Sequence, residues 1–170
     1  MLMLGISSYF LPDHSLRVIP VAGATTQDWN AKSFWYYPWG RSGIHKGIDI
    51  FAQPGTPVLS SSRGLVWSYG YDSMGGNYVL IVGAQWRLHY YAHLASINTQ
   101  RFAWVAAGEQ IGTVGDTGNA KGKPAHLHYQ INNTIPTAQP EDTSTGYLKS
   151  MYTNPQEFLK QAKTIAIAPH

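Results

Sequence analysis

The sequence predicts a mainly β fold built on a small antiparallel sheet. From Gly47 onward, short runs of β-branched and aromatic residues alternate with Gly and Pro: GIDIFA, TPVLSS, GLVWSYGY, NYVLIVG, RLHYYAHL, EQIGTVG and HLHYQIN. Strands at this spacing, with turn residues between them, read as consecutive antiparallel neighbours. The abundance of Tyr and Trp suits pleated, half-buried surfaces. At 170 residues the chain can bury one core, and its apolar content excludes a disordered protein.

Residues 1–12, MLMLGISSYFLP, are apolar, short and preceded by no basic run. They read equally as the tail of a secretion or anchor segment or as a packed strand or arm. Ser15–Ala22 reads as a strand broken by Pro20, and residues 24–44 as irregular chain. That stretch contains the aromatic run Phe34, Trp35, Tyr36, Tyr37 and Trp39. Thr134–Tyr147, rich in Thr, Pro and Ser, reads as a loop. Asn154-Pro155-Gln156-Glu157 is a helix start, with Asn as cap and Pro at the first helical position. Phe158, Leu159 and Ala162 give that short terminal helix its apolar face. The expected organisation is an N-terminal arm over 1–32, the main domain over 33–153, and a helix and tail over 154–170.

Composition narrows the chemistry. With no cysteine, disulfide scaffolds, thiolate metal sites and cysteine nucleophiles are excluded, so any metal must be held by His, Asp or Glu. Seven histidines against nine carboxylates is a high ratio. The net charge of +3 favours an anionic surface such as a cell wall. No Lys/Arg cluster points to nucleic acid. No run approaches the ~20 apolar residues of a transmembrane helix.

Five of the seven histidines fall in three short segments with the period of a strand. In His45-Lys46-Gly47-Ile48-Asp49, period-two alternation puts His45 and Asp49 on one face and Ile48 and Ile50 in the core. In His126-Leu127-His128 both imidazoles face one way, and burying two of them requires a metal or a polar cleft as partner. In His89-Tyr90-Tyr91-Ala92-His93, residues 89, 91 and 93 share a face. Each segment alone is compatible with solvated polar tips. Together they suit a catalytic metal site, which has three protein ligands and an open fourth position, with histidines to spare for proton transfer.

The stretch from about Gly40 to Ile131 resembles the lysostaphin/LytM-type zinc metallopeptidases, the M23 endopeptidases of bacterial cell walls. The resemblance is carried by GRSGIHKGIDIFAQPGTPV, Arg63-Gly64-Leu65-Val66, the YAHL at Tyr91–Leu94 and GEQIGTVGDTGNAKGKPAHLHYQI. It implies His45, Asp49 and His128 as zinc ligands, and His93 and His126 as catalytic histidines that do not bind metal. It implies a LytM-like (duplicated-hybrid-motif) sheet with a long groove, and hydrolysis of peptidoglycan cross-links by a metal-activated water. Peptidoglycan stem peptides are then the partner, a monomer the expected state, and the periplasm or cell surface the expected location. His89, Tyr91, Trp35, Trp39 and Asn119 are candidates to line the groove. His89 and the aromatic run before His45 are departures from the family pattern. Two other readings compete. One is a non-catalytic wall-binding or amidase-activating module of the same fold. The other, a cupin-like metal oxygenase, is disfavoured because no distant Glu and His follow His126-x-His128 in the cupin order.

Overall fold

In the computed structural model, residues 15–137 and 146–167 are described. Residues 1–12, most of the predicted loop at 134–147 and the last three residues lie outside them. Nine strands form one antiparallel sheet: β1 (Gly47–Phe51), β2 (Pro57–Leu59), β3 (Gly64–Asp72), β4 (Gly76–Val82), β5 (Leu88–Ile97), β6 (Trp104–Val105), β7 (Gln110–Val114), β8 (His126–Asn132) and β9 (Tyr152–Thr153). The main path runs β1-β8-β5-β4-β3-β6, while β7 bridges β5 to β2 and β9 pairs with β8. Among the described residues, two short α-helices flank β9, α1 (Gly146–Ser150) and α2 (Pro155–Leu159). The predicted loop therefore ends earlier than Tyr147, which already lies in α1.

Period-two alternation accounts for the core. Ile48 and Ile50 of β1, Val79 and Ile81 of β4, and Leu127, Tyr129 and Ile131 of β8 are fully buried and pack in one cluster. Helix α2 begins as predicted: the Asn154 side chain accepts the Gln156 N–H, and Phe158 and Leu159 are buried in the same cluster.

Described residues of the stretch before residue 32 pack into this body. Ile19, Val21, Ala24 and Trp29 belong to the core cluster. The predicted strand over 15–22 reduces to isolated bridges, Val18 with Lys163 and Val21 with Val58. Pro20 has no N–H to donate to a ladder. The two ends of the chain clasp instead: Ile19 N–H donates to Lys163 O (3.0 Å), and Arg17 stacks 4.3 Å above the Phe158 ring.

The face shared by His89, Tyr91 and His93 is also corrected. Opposite Tyr78 of β4, strand β5 carries one residue too many: Val79 pairs with Tyr91, but Asn77 pairs with Leu94. This bulge includes His93, whose φ is +65°, and an extra residue inverts the alternation beyond it. His89 and Tyr91 are 0% exposed and face the core, away from the groove. There the His89 ring lies 2.7 Å (Nδ1) from the Tyr129 hydroxyl, and Ser61 Oγ bonds both Tyr91 and Tyr129 at 2.9 and 2.6 Å. Burial raises the pKa of both phenols, so they stay neutral members of a satisfied polar cluster.

Beyond the bulge, the β3–β4 hairpin crosses the loop after β7 at two glycines. Gly76 and Gly118 have φ of +64° and +67°, and a Cβ on Gly76 would stand 2.5 Å from Gly118 N. Gly76→Ala is therefore expected to destabilise by roughly 3 kcal/mol or more in urea unfolding. Gly55→Ala, which has positive φ but open space around it, is expected to cost only ~1–2 kcal/mol. Equal losses would contradict the close crossing.

Candidate metal centre and groove

Strand register brings the histidine segments together. Asp49 of β1 is directly opposite His128 of β8, Phe51 is opposite His126, and Ala92 of β5 is opposite His128 on its other side. With Leu127 in the core, His126 and His128 lie on one face of β8, and His93 reaches that face through the bulge. A groove of about 660 Å³ runs over these residues.

Three donor atoms converge. His45 Nε2 lies 3.1 Å from Asp49 Oδ1, His128 Nδ1 lies 2.8 Å from the same oxygen, and the two nitrogens are 3.2 Å apart. Among the described residues this trio is the group of His, Asp or Glu atoms whose geometry suits a metal ion, all within 4.8 Å of one another.

Backbone carbonyls set the tautomers. His45 Nδ1 donates to Ser33 O (2.9 Å), His93 Nδ1 to Thr117 O (2.9 Å) and His126 Nδ1 to Pro124 O (2.7 Å). A carbonyl oxygen only accepts, so each ring carries its proton on Nδ1 and leaves Nε2 bare when neutral. At His45 the bare nitrogen points at the Asp49 carboxylate and at His128. One proton on His128 Nδ1 cannot satisfy both other atoms. A divalent cation of the kind bound by imidazole and carboxylate satisfies all three, so the donor set fits a metal ion.

The aromatic run explains how His45 is held. Residues 33–45 fold back on themselves: Trp35 N–H donates to His45 O (2.6 Å), His45 N–H to Tyr36 O (3.0 Å), and Trp39 bridges Gly43. Trp39 then stacks on the His45 ring, centroids 4.1 Å apart and planes 14° from parallel. Trp39 and Asn119 line the groove, whereas Trp35 packs on Tyr152. Sequence reasoning missed Tyr90, Arg41, Lys46 and Gln130 as lining residues. The signal for Tyr90 was present, since it alternates with His89 and Tyr91 on β5.

Electrostatics follow from packing. Burial alone raises the Asp49 carboxyl pKa, but hydrogen bonds from His128 and His45, with their charges, outweigh burial and hold it well below the usual carboxylate range. The second carboxylate oxygen faces His126, with Oδ2 3.9 Å from Nε2. Burial, then the neighbouring His128 and His126, lower the His93 pKa to about 4.

The His93 shift has a sign that can be tested in metal-free protein. The unfolded chain takes up this proton near pH 6.5, and the folded site only near 4. Between those values the unfolded state binds more protons, so stability falls as pH drops through the window. Asp49, held lower still, acts below it. His93→Asn, chosen because Asn tolerates positive φ, is expected to flatten the slope of unfolding free energy from pH 6.5 to 4. An unchanged slope would assign it to other groups.

Known proteins share both the fold and these residues' segment. Lysostaphin of Staphylococcus staphylolyticus is 36% identical over 123 residues, covering 67% of this chain and 25% of that protein. Peptidoglycan DD-endopeptidase ShyC of Vibrio cholerae is 35% identical over 92 residues, covering 54% of this chain and 21% of that protein. The chain thus spans a quarter or less of the length of these relatives. The crystallised catalytic domain of the antimicrobial peptidase lysostaphin from Staphylococcus simulans superposes with a TM-score of 0.62 and 30% identity, covering 76% of this chain and 90% of that domain. The family model for peptidase family M23 matches residues 43–140, more than half of the sequence and the span that contains all five clustered side chains. By fold, by sequence and by the segment that builds the groove, the chain belongs to peptidase family M23.

Proposed function

We propose that the protein is a zinc-dependent endopeptidase that hydrolyses peptide cross-links of bacterial peptidoglycan. The observation that carries this reading is the convergence of His45, Asp49 and His128 beside two further imidazoles whose Nδ1 protons are held by backbone carbonyls. The substrate class is supported by the relative that is itself a peptidoglycan endopeptidase. Peptidoglycan lies outside the cytoplasmic membrane, so the periplasm or cell surface is the proposed site of action. Among the described residues no helix is long and apolar enough to cross a membrane.

In this reading His45 Nε2, an Asp49 oxygen and His128 Nδ1 hold the ion. Zinc suits a set of two imidazoles and one carboxylate, and it supplies polarisation of a carbonyl and a water pKa lowered towards ~7. The Ser33 carbonyl and the Trp39 stack keep His45 aimed at the centre. The rings of His126 and His93 line the groove with Nδ1 engaged by backbone carbonyls, so Nε2 is the nitrogen left to exchange a proton. Each can accept a proton from the attacking water or return it to the leaving amine. The Pro124 and Thr117 carbonyls fix which nitrogen does so. A wall-binding or amidase-activating module without turnover is the second reading. It is disfavoured because both extra imidazoles stand in the groove with tautomers suited to proton transfer.

His126→Ala is expected to keep near-stoichiometric zinc and to lose at least about a hundredfold in rate on purified sacculi. His128→Ala is expected to lose the metal itself. Loss of zinc from the first variant, or its retention in the second, would contradict this division of labour. Clearing of sacculi should stop on chelation and return with zinc. Binding to sacculi without any clearing would favour the module.

A further inference from the structure

We propose that the groove selects peptides carrying free carboxylates on both sides of the bond to be cut, with Arg41, Lys46 and Lys123 as the selecting cations. This rests on the endopeptidase reading and narrows its substrate class.

Among the described residues, the groove is lined by three cations, Arg41, Lys46 and Lys123, and one carboxylate, Asp49. That carboxylate is already engaged by His45 and His128 at 3.1 and 2.8 Å. The ion pairs among the described residues involve Asp49 or the exposed Lys160–Glu157 contact, and none includes Arg41, Lys46 or Lys123. Lys46 is held by an aromatic face, its ammonium 5.7 Å from the centre of the Tyr152 ring, which steers the side chain without neutralising it. Two acids outside the lining are engaged by hydrogen bonds: Asp72 accepts the Met74 and Gly75 N–H groups at 2.8 and 2.7 Å and the hydroxyl of groove-lining Tyr90 at 3.4 Å, and Asp116 accepts the Gly122 N–H at 3.3 Å.

Uncompensated like charges around a cleft repel one another and focus a positive potential into it. An anionic ligand relieves that repulsion, whereas a neutral oligoglycine segment gives nothing to these side chains.

The register adds direction. Along the β1–β8 pair, Gly47 faces Gln130 at one end, Asp49 faces His128 in the middle, and Phe51 faces His126 at the other end. Lys46 lies one residue beyond the first end, with Arg41 on the preceding 3-10 turn (Gly40–Ser42). Lys123 lies three residues before His126, on the segment that enters β8 at the opposite end. The donor trio sits between. A peptide whose reacting carbonyl is at the centre therefore has a groove-lining cation towards either end of the β1–β8 pair.

The test uses the zinc-loaded chain and two synthetic cross-linked peptide dimers of identical sequence. One carries free side carboxylates flanking the cross-link, and the other has them amidated. Cleavage gives kcat/KM, and equilibrium binding is measured separately by calorimetry. The acidic dimer is expected to be favoured about tenfold or more in both. The preference should shrink towards 1 at high salt and in the triple variant R41Q/K46Q/K123Q. K123Q alone is expected to give an intermediate ratio, with zinc content measured for every variant. Equal handling of the two dimers by the unmodified chain, or a ratio unchanged by the triple substitution, would overturn the selection and leave the hydrolase reading intact. If neither dimer is cut while the acidic one still binds about tenfold more tightly, the hydrolase reading fails and the selection stands.

Discussion

The structure depends on a shortage of protons. His45 Nε2, Asp49 Oδ1 and His128 Nδ1 stand 2.8–3.2 Å from one another, yet His45 has spent its proton on the Ser33 carbonyl. Lone pairs this close are costly in a partly buried site unless a positive charge sits among them. Protonation of an imidazole offers one remedy and a divalent ion a better one. The depressed Asp49 pKa has the same origin, since its hydrogen bonds with His128 and His45 favour the ionised carboxylate against burial.

The fold supplies that arrangement from backbone features. Sheet order places β8 between β1 and β5, so the ligand strands and the His93 strand are neighbours by topology. Three carbonyls, of Ser33, Thr117 and Pro124, aim three imidazoles. The carbonyls come from irregular chain outside the strands: Ser33 from the segment before β1, Thr117 and Pro124 from the β7–β8 connection. The 33–45 segment is closed by its own hydrogen bonds, and the Thr117 loop is locked by the Gly76–Gly118 crossing. A rigid sheet thus sets the spacing of the histidines, and the loops set their tautomers.

The sequence disclosed these two layers unequally. His45, Asp49, His126 and His128 were legible because period-two alternation holds through β1 and β8, and apolar neighbours such as Ile48 and Leu127 mark the core face. His93 was legible as a residue and not as a position. One extra residue in β5 inverts the alternation, and no local composition marks a bulge whose central residue is a histidine at positive φ. The same blindness put His89 and Tyr91 in the groove, when a pairing pattern counted from His89 alone would have sent them to the core. The carbonyl partners were invisible, because a main-chain oxygen carries no residue identity. The strand pattern over 15–22 was interrupted by Pro20, yet Ile19 and Val21 on either side of it are buried in the core cluster.

The proposed metal centre requires these three side chains to share one ion. Anomalous diffraction at the zinc edge, from crystals grown with zinc, tests it most directly. The expected result is a single strong peak within bonding distance, ~2.0–2.2 Å, of His45 Nε2, an Asp49 oxygen and His128 Nδ1, with His93 and His126 uncoordinated. A peak bound through His93 or His126, or the three side chains turned apart with no ion between them, would contradict it.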